Sequence, residues 1–173
     1  LFVGSRGTDY QAELLAIRQQ SDEKRAELEE KLDQSIPVIK NMGPSSAILF
    51  SRLSLALQAM EEMMTLRSQT WECAWGGQAL TQAYSAIIRA LLAVVFEAAD
   101  IARDPKLTEI LVGLFNLMQG KELAGQERAA GSLAFASGMT PSEIKPRIEH
   151  LIDYQESCFS TYLQHIDSKG VAI

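Results

Sequence analysis

From Ile110 to Phe135 the chain sets Ile110, Leu114, Leu117, Lys121, Ala124, Arg128, Gly131 and Phe135 at alternating steps of four and three. Only an α-helix brings such a series onto one face, so this stretch predicts an amphipathic helix of about seven turns whose stripe faces inward. What the stripe carries is unusual. Within Lys121-Glu-Leu-Ala-Gly-Gln-Glu-Arg-Ala-Ala-Gly131 a lysine and an arginine take inward steps among small residues. Gly125 and Gly131 each cost about 1 kcal/mol relative to alanine in a helix interior, a cost that makes sense where backbone or ligand must approach closely. Positive charge beside clearance is a first sign of an anion site.

The same pattern recurs upstream. Leu49, Leu53, Ala56, Met60, Met63 and Arg67 also follow steps of four and three, which puts Arg67 on an inward stripe of its own. A seam arginine ordinarily closes on a carboxylate or snorkels to the rim. Glu61 and Glu62 stand near Arg67, and Glu122 and Glu127 near Arg128, so internal salt bridges compete with an anion for both.

Helical periodicity dominates elsewhere too, and Gly, Pro and Ser punctuation cuts the chain into about five helices, an all-α antiparallel bundle. The first runs from Asp9 to Ile36 and stops at Pro37, with Leu14, Ile17, Ser21, Leu28 and Leu32 near its inner face and a charged middle, Asp22 to Arg25. Gly43-Pro44-Ser45 turns into a second helix that reaches Trp71. The third spans Leu80 to Ala102 and is broadly apolar, as a central helix should be. Asp104-Pro105 opens the fourth: Asp104 can accept from the first-turn amides, Pro105 needs no acceptor, and Gly138 is a natural C-terminal cap. Thr140-Pro-Ser-Glu143 reads as a capping box for a last helix to about Ile166, which Pro146 should bend or delay.

Composition removes several function classes. At 173 residues the chain has the length of one domain, or of two small sub-bundles sharing a core, and its formal net charge of −6 disfavours binding of a phosphate backbone, so no nucleic acid is expected to bind this segment. The stretch from Ala86 to Ala99 is broken by Arg89 and Glu97 and is shorter than the roughly 20 apolar residues of a membrane span, so it reads as a core helix. Cys73 and Cys158 form neither metal-ligand spacing nor a disulfide framework, with a single bridge between them left open. His150 and His165 have no ligand arrangement around them, and no nucleophile has a local base, so neither catalysis, a cofactor nor a metal is expected. Met60, Met63 and Met64 at helical spacing read as packing. Arg18 with Asp22, and Glu27 with Lys31, read as surface ion pairs four residues apart.

The segment Lys121-Glu-Leu-Ala-Gly-Gln-Glu-Arg-Ala129 resembles the NIT domain, the nitrate- and nitrite-sensing module of bacterial signalling and transcription-antitermination proteins. Ser5-Arg-Gly7 leading through Arg18 and Asp22, the helix end from Leu57 to Arg67, and Tyr84 to Asp100 are similar as well. The resemblance implies a helical sensor, not an enzyme, in which arginines from distant parts of the sequence converge on one planar monovalent anion. Arg67 and Arg128 match such positions, Lys121 adds field at the same seam, and Gly125 with Gly131 supply clearance.

The family usually carries an Arg-Glu-Arg-Gly motif on a helix just before the stretch that resembles Leu1 to Gly7. The chain opens at Leu1-Phe-Val without an initiator methionine and reads as a piece of a longer protein, with residues 1–173 one sensing domain, incomplete at its N-terminus, and an output module beyond Ile173. With the missing N-terminus the bundle would form two four-helix-bundle-like halves. The expected compartment is cytoplasmic, a periplasmic sensor domain and a homodimer remaining open. Two other readings stand beside this one: a structural or dimerisation bundle whose arginines are internally paired, and a sensor for a different small anion.

Overall fold

The computed structural model describes residues 2–40, 43 and 46–167. Among these the chain forms five helices and no strand: α1 (Gln11–Lys40), α2 (Ser46–Trp71), α3 (Gly77–Ile101), α4 (Pro105–Ser137) and α5 (Pro141–Asp167). The all-α class expected from periodicity is thus observed. α3 packs between α2 and α4, and α5 runs along α4.

The local signals at the helix ends act as physics requires. The Asp104 carboxylate accepts from the Lys106 amide at 2.8 Å, and Pro105 fills the first helical position, where no N–H partner is needed. Gly138 closes α4 in the left-handed conformation, φ 66°, its amide reaching back to Ala134 and Phe135 carbonyls. At the start of α5 the Thr140 hydroxyl and amide both donate to the Glu143 carboxylate at 2.7 Å. Those two donors, the hydroxyl first, hold the Glu143 carboxyl below its ordinary pKa.

Two proline expectations change. α1 does not stop at Pro37 but continues to Lys40, because a proline in the last turn forfeits a single ladder bond with little helix left to disrupt. α5 runs through Pro146 as one helix. The Pro44-Ser45 turn lies outside the described residues.

The apolar interior is divided in two. Met60, Leu66, Leu80 and Ile87 form one cluster, covered by Val3, Leu28, Met63 and Tyr84 from three sides. Leu123, Ala130 and Leu151 form the other between α4 and α5, with Ile144, Ile148 and Cys158 around them. Met60 and Met63 are therefore packing residues as expected, whereas Met64 is 60% exposed. Cys73 and Cys158 are free thiols, and burial pushes the Cys158 thiol up in pKa.

α1 differs from the other helices. None of its described residues is fully buried, and it lies on α2 through long side chains. Its half-buried face is Leu14, Arg18, Ser21, Arg25, Leu28 and Leu32, while Ile17, expected to face inward, is 63% exposed. Arg25 donates to the Met60 carbonyl at 3.3 Å from this face.

The helix containing Ala86 to Ala99 is longer than that apolar stretch. By length and composition Gly77–Ile101 could cross a membrane, a test that the core helix of a soluble protein also meets. Here it lies between two helices and buries Ser85 and Glu97. Arg52 of α2 stands 4.0 Å from the Glu97 carboxylate.

Candidate functional site

Arg67 is 8% exposed near the C-terminal end of α2, where the four-and-three stripe predicts an inward position. Its counter-charge is neither Glu61 nor Glu62, both exposed. Instead, one terminal nitrogen of its guanidinium donates to Asp22 of α1 at 2.5 Å. Arg18, one turn before Asp22, donates to the Arg67 carbonyl at 2.7 Å and stacks over Trp71 with its guanidinium carbon 5.7 Å from the ring. Phe2 stacks on Trp71 at a centroid distance of 5.4 Å and anchors the N-terminal segment there.

The surface pair expected between Arg18 and Asp22 therefore does not form; each side chain crosses to α2. Glu27 likewise pairs with Lys24 at 2.9 Å, and Lys31 acts on it only as a weaker, more distant charge. Arg18 is the residue that sequence reasoning missed, although the signal was present. Leu14, Arg18, Ser21, Arg25, Leu28 and Leu32 follow the same steps of four and three that mark Arg67. The charged middle of α1 hides an inward stripe of two arginines.

Together these residues line an open cleft of about 620 Å³ between α1 and α2. Arg18, Arg67, Asp22 and Glu23 supply its charge, Gln19 and Ser68 its neutral polar groups, and Leu15, Met64 and Trp71 its apolar wall. The Arg18 Nε is buried without a hydrogen-bond partner among the described residues, an arrangement that costs about 1–3 kcal/mol.

Arg128 and Lys121 are placed elsewhere. Both are exposed on α4, and neither lines the cleft that holds Arg67. The stripe on which they stand is the outer face of the helix, with Ile110 55%, Leu114 41% and Phe135 93% exposed. The inward face is instead Gly113, Gly120, Leu123, Ala130 and Ala134, which also follows a helical repeat but is made of small residues. Small residues win this face because α5 packs close against it: a Cβ on Gly120 would stand 2.6 Å from the Phe159 ring, and one on Gly113 would touch His165 and Tyr162. A Cβ on Gly125 or Gly131 would meet nothing within 4 Å, so no neighbour in the described fold requires clearance there.

The carboxylates expected to neutralise Arg128 are otherwise engaged. Glu122 accepts from Ser85 at 2.5 Å and from Gln126 at 2.9 Å, and Glu127 accepts from Gln155 at 2.7 Å. No ion pair forms on Lys121 or Arg128 among the described residues. His150 packs against Tyr154 with the rings tilted by 54°, and among the described residues no cluster of three or more His, Cys, Asp or Glu could hold a metal ion.

Three comparisons bear on these two regions. The chain matches the family described as nitrate and nitrite sensing, NIT, over residues 1–170. It is 36% identical over 118 residues to a nitrate regulatory protein of Klebsiella oxytoca, an alignment covering 68% of this chain and 30% of that protein. The NasR transcription antiterminator has a solved structure that superposes with a TM-score of 0.84 at 31% identity, covering 94% of this chain and 43% of that one. This chain thus spans under half the length of the relatives it matches. With a family match across nearly the whole chain and a fold that superposes on that antiterminator over 94% of this chain, the chain belongs to the nitrate- and nitrite-sensing NIT family.

Proposed function

We propose that this chain binds nitrate or nitrite at the open face of α4 and relays occupancy, through helix rearrangement, to a signalling or RNA-binding antiterminator module on its C-terminal side. The observation that carries this reading is the state of Arg128. It is an exposed guanidinium on which no carboxylate closes among the described residues, in the segment that most resembles the family, and the glycines on either side leave room. Nitrate is flat and weakly hydrated, and a guanidinium offers it a planar fork of donors, which an ammonium cannot. Lys121, about two turns earlier, adds positive field at the same face.

An exposed cation in water attracts a monoanion at 4 Å by only about 1 kcal/mol, so useful affinity needs an element that covers α4 and lowers the local dielectric. Anion binding would favour the covered arrangement by its differential affinity for the two states, which is the free energy available for signalling. Arg67 contributes at one remove in this reading, because Asp22 already neutralises it. That internal pair is also what favours a purely structural role for the α1–α2 half.

Calorimetric titration of nitrate into the full-length protein, with chloride as the control anion, tests the proposal. Saturable heat that disappears in Arg128→Ala, with helicity retained, is expected. Unchanged nitrate affinity in Arg128→Ala would remove the assignment, and a folded wild-type protein that releases no heat would leave the scaffold reading in its place.

A further inference from the structure

The cleft between α1 and α2 has a different chemistry from the α4 face. Two arginines and two carboxylates line it, so its walls are balanced rather than cationic. The balance is incomplete in detail. Asp22 neutralises Arg67, but among the described residues Arg18 closes on no carboxylate and Glu23 on no cation, with Lys24 acting on Glu23 only as a neighbouring charge. Glu23 accepts only the Gln19 amide at 3.1 Å, and Arg18 donates only to a backbone carbonyl. An unpaired cation and an unpaired anion therefore share one cleft.

Beside them stand Leu15, Met64 and Trp71, exposed by 53%, 60% and 42%. Three large apolar side chains that remain wet on the wall of a polar cleft can gain by covering. A lone monoanion such as nitrate would be attracted by Arg18 and repelled by Glu23, and a lone cation the reverse. A ligand bearing both charges avoids that conflict.

We propose that this cleft binds an α-amino acid with an apolar side chain. Its carboxylate meets Arg18, its ammonium meets Glu23 and the open side of Asp22, and its side chain lies against Leu15, Met64 and Trp71. No bond is made or broken. The site bridges α1 and α2, so occupancy ties down the helix in which none of the described residues is buried. Binding here is separate from the α4 face and holds whether or not that face takes an anion.

The test is calorimetry and thermal shift on the full-length protein with three probes: L-leucine, isocaproate, which lacks the ammonium group, and isopentylamine, which lacks the carboxylate. L-leucine should bind saturably and raise the melting temperature, with each single-charge analogue weaker by about tenfold or more, as a site built on paired polar contacts requires. Met64→Asp, on an exposed side chain that folding does not need, should weaken leucine by about tenfold, whereas Arg128→Ala should leave it unchanged. No leucine binding by the folded protein overturns the proposal. So does isocaproate binding as tightly as leucine, which would make the cleft a plain anion site, and so does full affinity in Met64→Asp.

Discussion

Arg67 and Arg128 occupy equivalent places in equivalent sequence patterns, yet one is 8% exposed against a carboxylate and the other stands in solvent. The stripe around Arg67 is covered because α1 and α3 lie on α2, and the stripe around Arg128 is uncovered because α4 meets α3 and α5 through its other faces, the small-residue one against α5. A seam pattern therefore marks a face suited to a partner without naming the partner or saying whether one is present. The contrast also separates two states of arginine: a strut neutralised in place, and an exposed guanidinium with no ion pair among the described residues.

The sharpest way to test which face of α4 is structural is to fill its glycines. Gly120→Val forces methyl groups into the Phe159 ring and should destabilise the fold by about 2 kcal/mol, a fall in melting temperature of about 4–8 °C. A melting temperature equal to wild type would mean that α5 does not pack as described.

The next effect separates the arginines. Arg67→Ala should lower stability by about 1–2 kcal/mol, moderated because its partner Asp22 is itself 56% exposed in its side chain. Arg128→Ala should change stability by less than about 0.5 kcal/mol. In denaturant melts, Arg67→Ala combined with Asp22→Ala should show coupling of about 1 kcal/mol, and Arg67→Ala combined with Arg128→Ala none beyond about 0.5. Strong coupling between the two arginines would break the separation drawn here.

Gly125→Ala and Gly131→Ala carry the opposite sign. With nothing within 4 Å of the new Cβ, each should stabilise the helix by about 0.5–1 kcal/mol. If the outer face is where the anion is covered, the same substitutions should weaken nitrate binding while raising the melting temperature.

The smallest effect is at the α5 cap. Because the Glu143 carboxyl titrates below its unfolded value, its contribution is fully present above the usual carboxylate range and is lost as pH falls through the lowered folded pKa. Glu143→Gln should flatten that part of the acid-melting profile, as read by circular dichroism against pH.

Much of the fold was legible from residues alone. Asp104-Pro105, Gly138 and Thr140 with Glu143 set helix ends through contacts within a few positions, and the stripe from Leu49 to Arg67 buried the face it predicted. The site was legible in pieces. Arg67 was expected inward, but its carboxylate came from a helix 45 positions away rather than from Glu61 or Glu62 beside it. Arg18 was legible only as a surface partner for Asp22, because an arginine four residues before an aspartate reads first as a local pair. On α4, large apolar residues drew attention to the wrong stripe.

The helical class, and the turn where α4 ends and α5 starts, follow from the residues alone, since hydrogen bonds, caps and periodicity act over a single turn or two. Which face of α4 is buried, and which carboxylate meets Arg67, was decided only by the tertiary structure. A helix offers several stripes at once. The choice among them depends on how closely another helix can approach, and here Gly120 beneath Phe159 allows α5 closer than a large side chain such as Leu114 or Arg128 would.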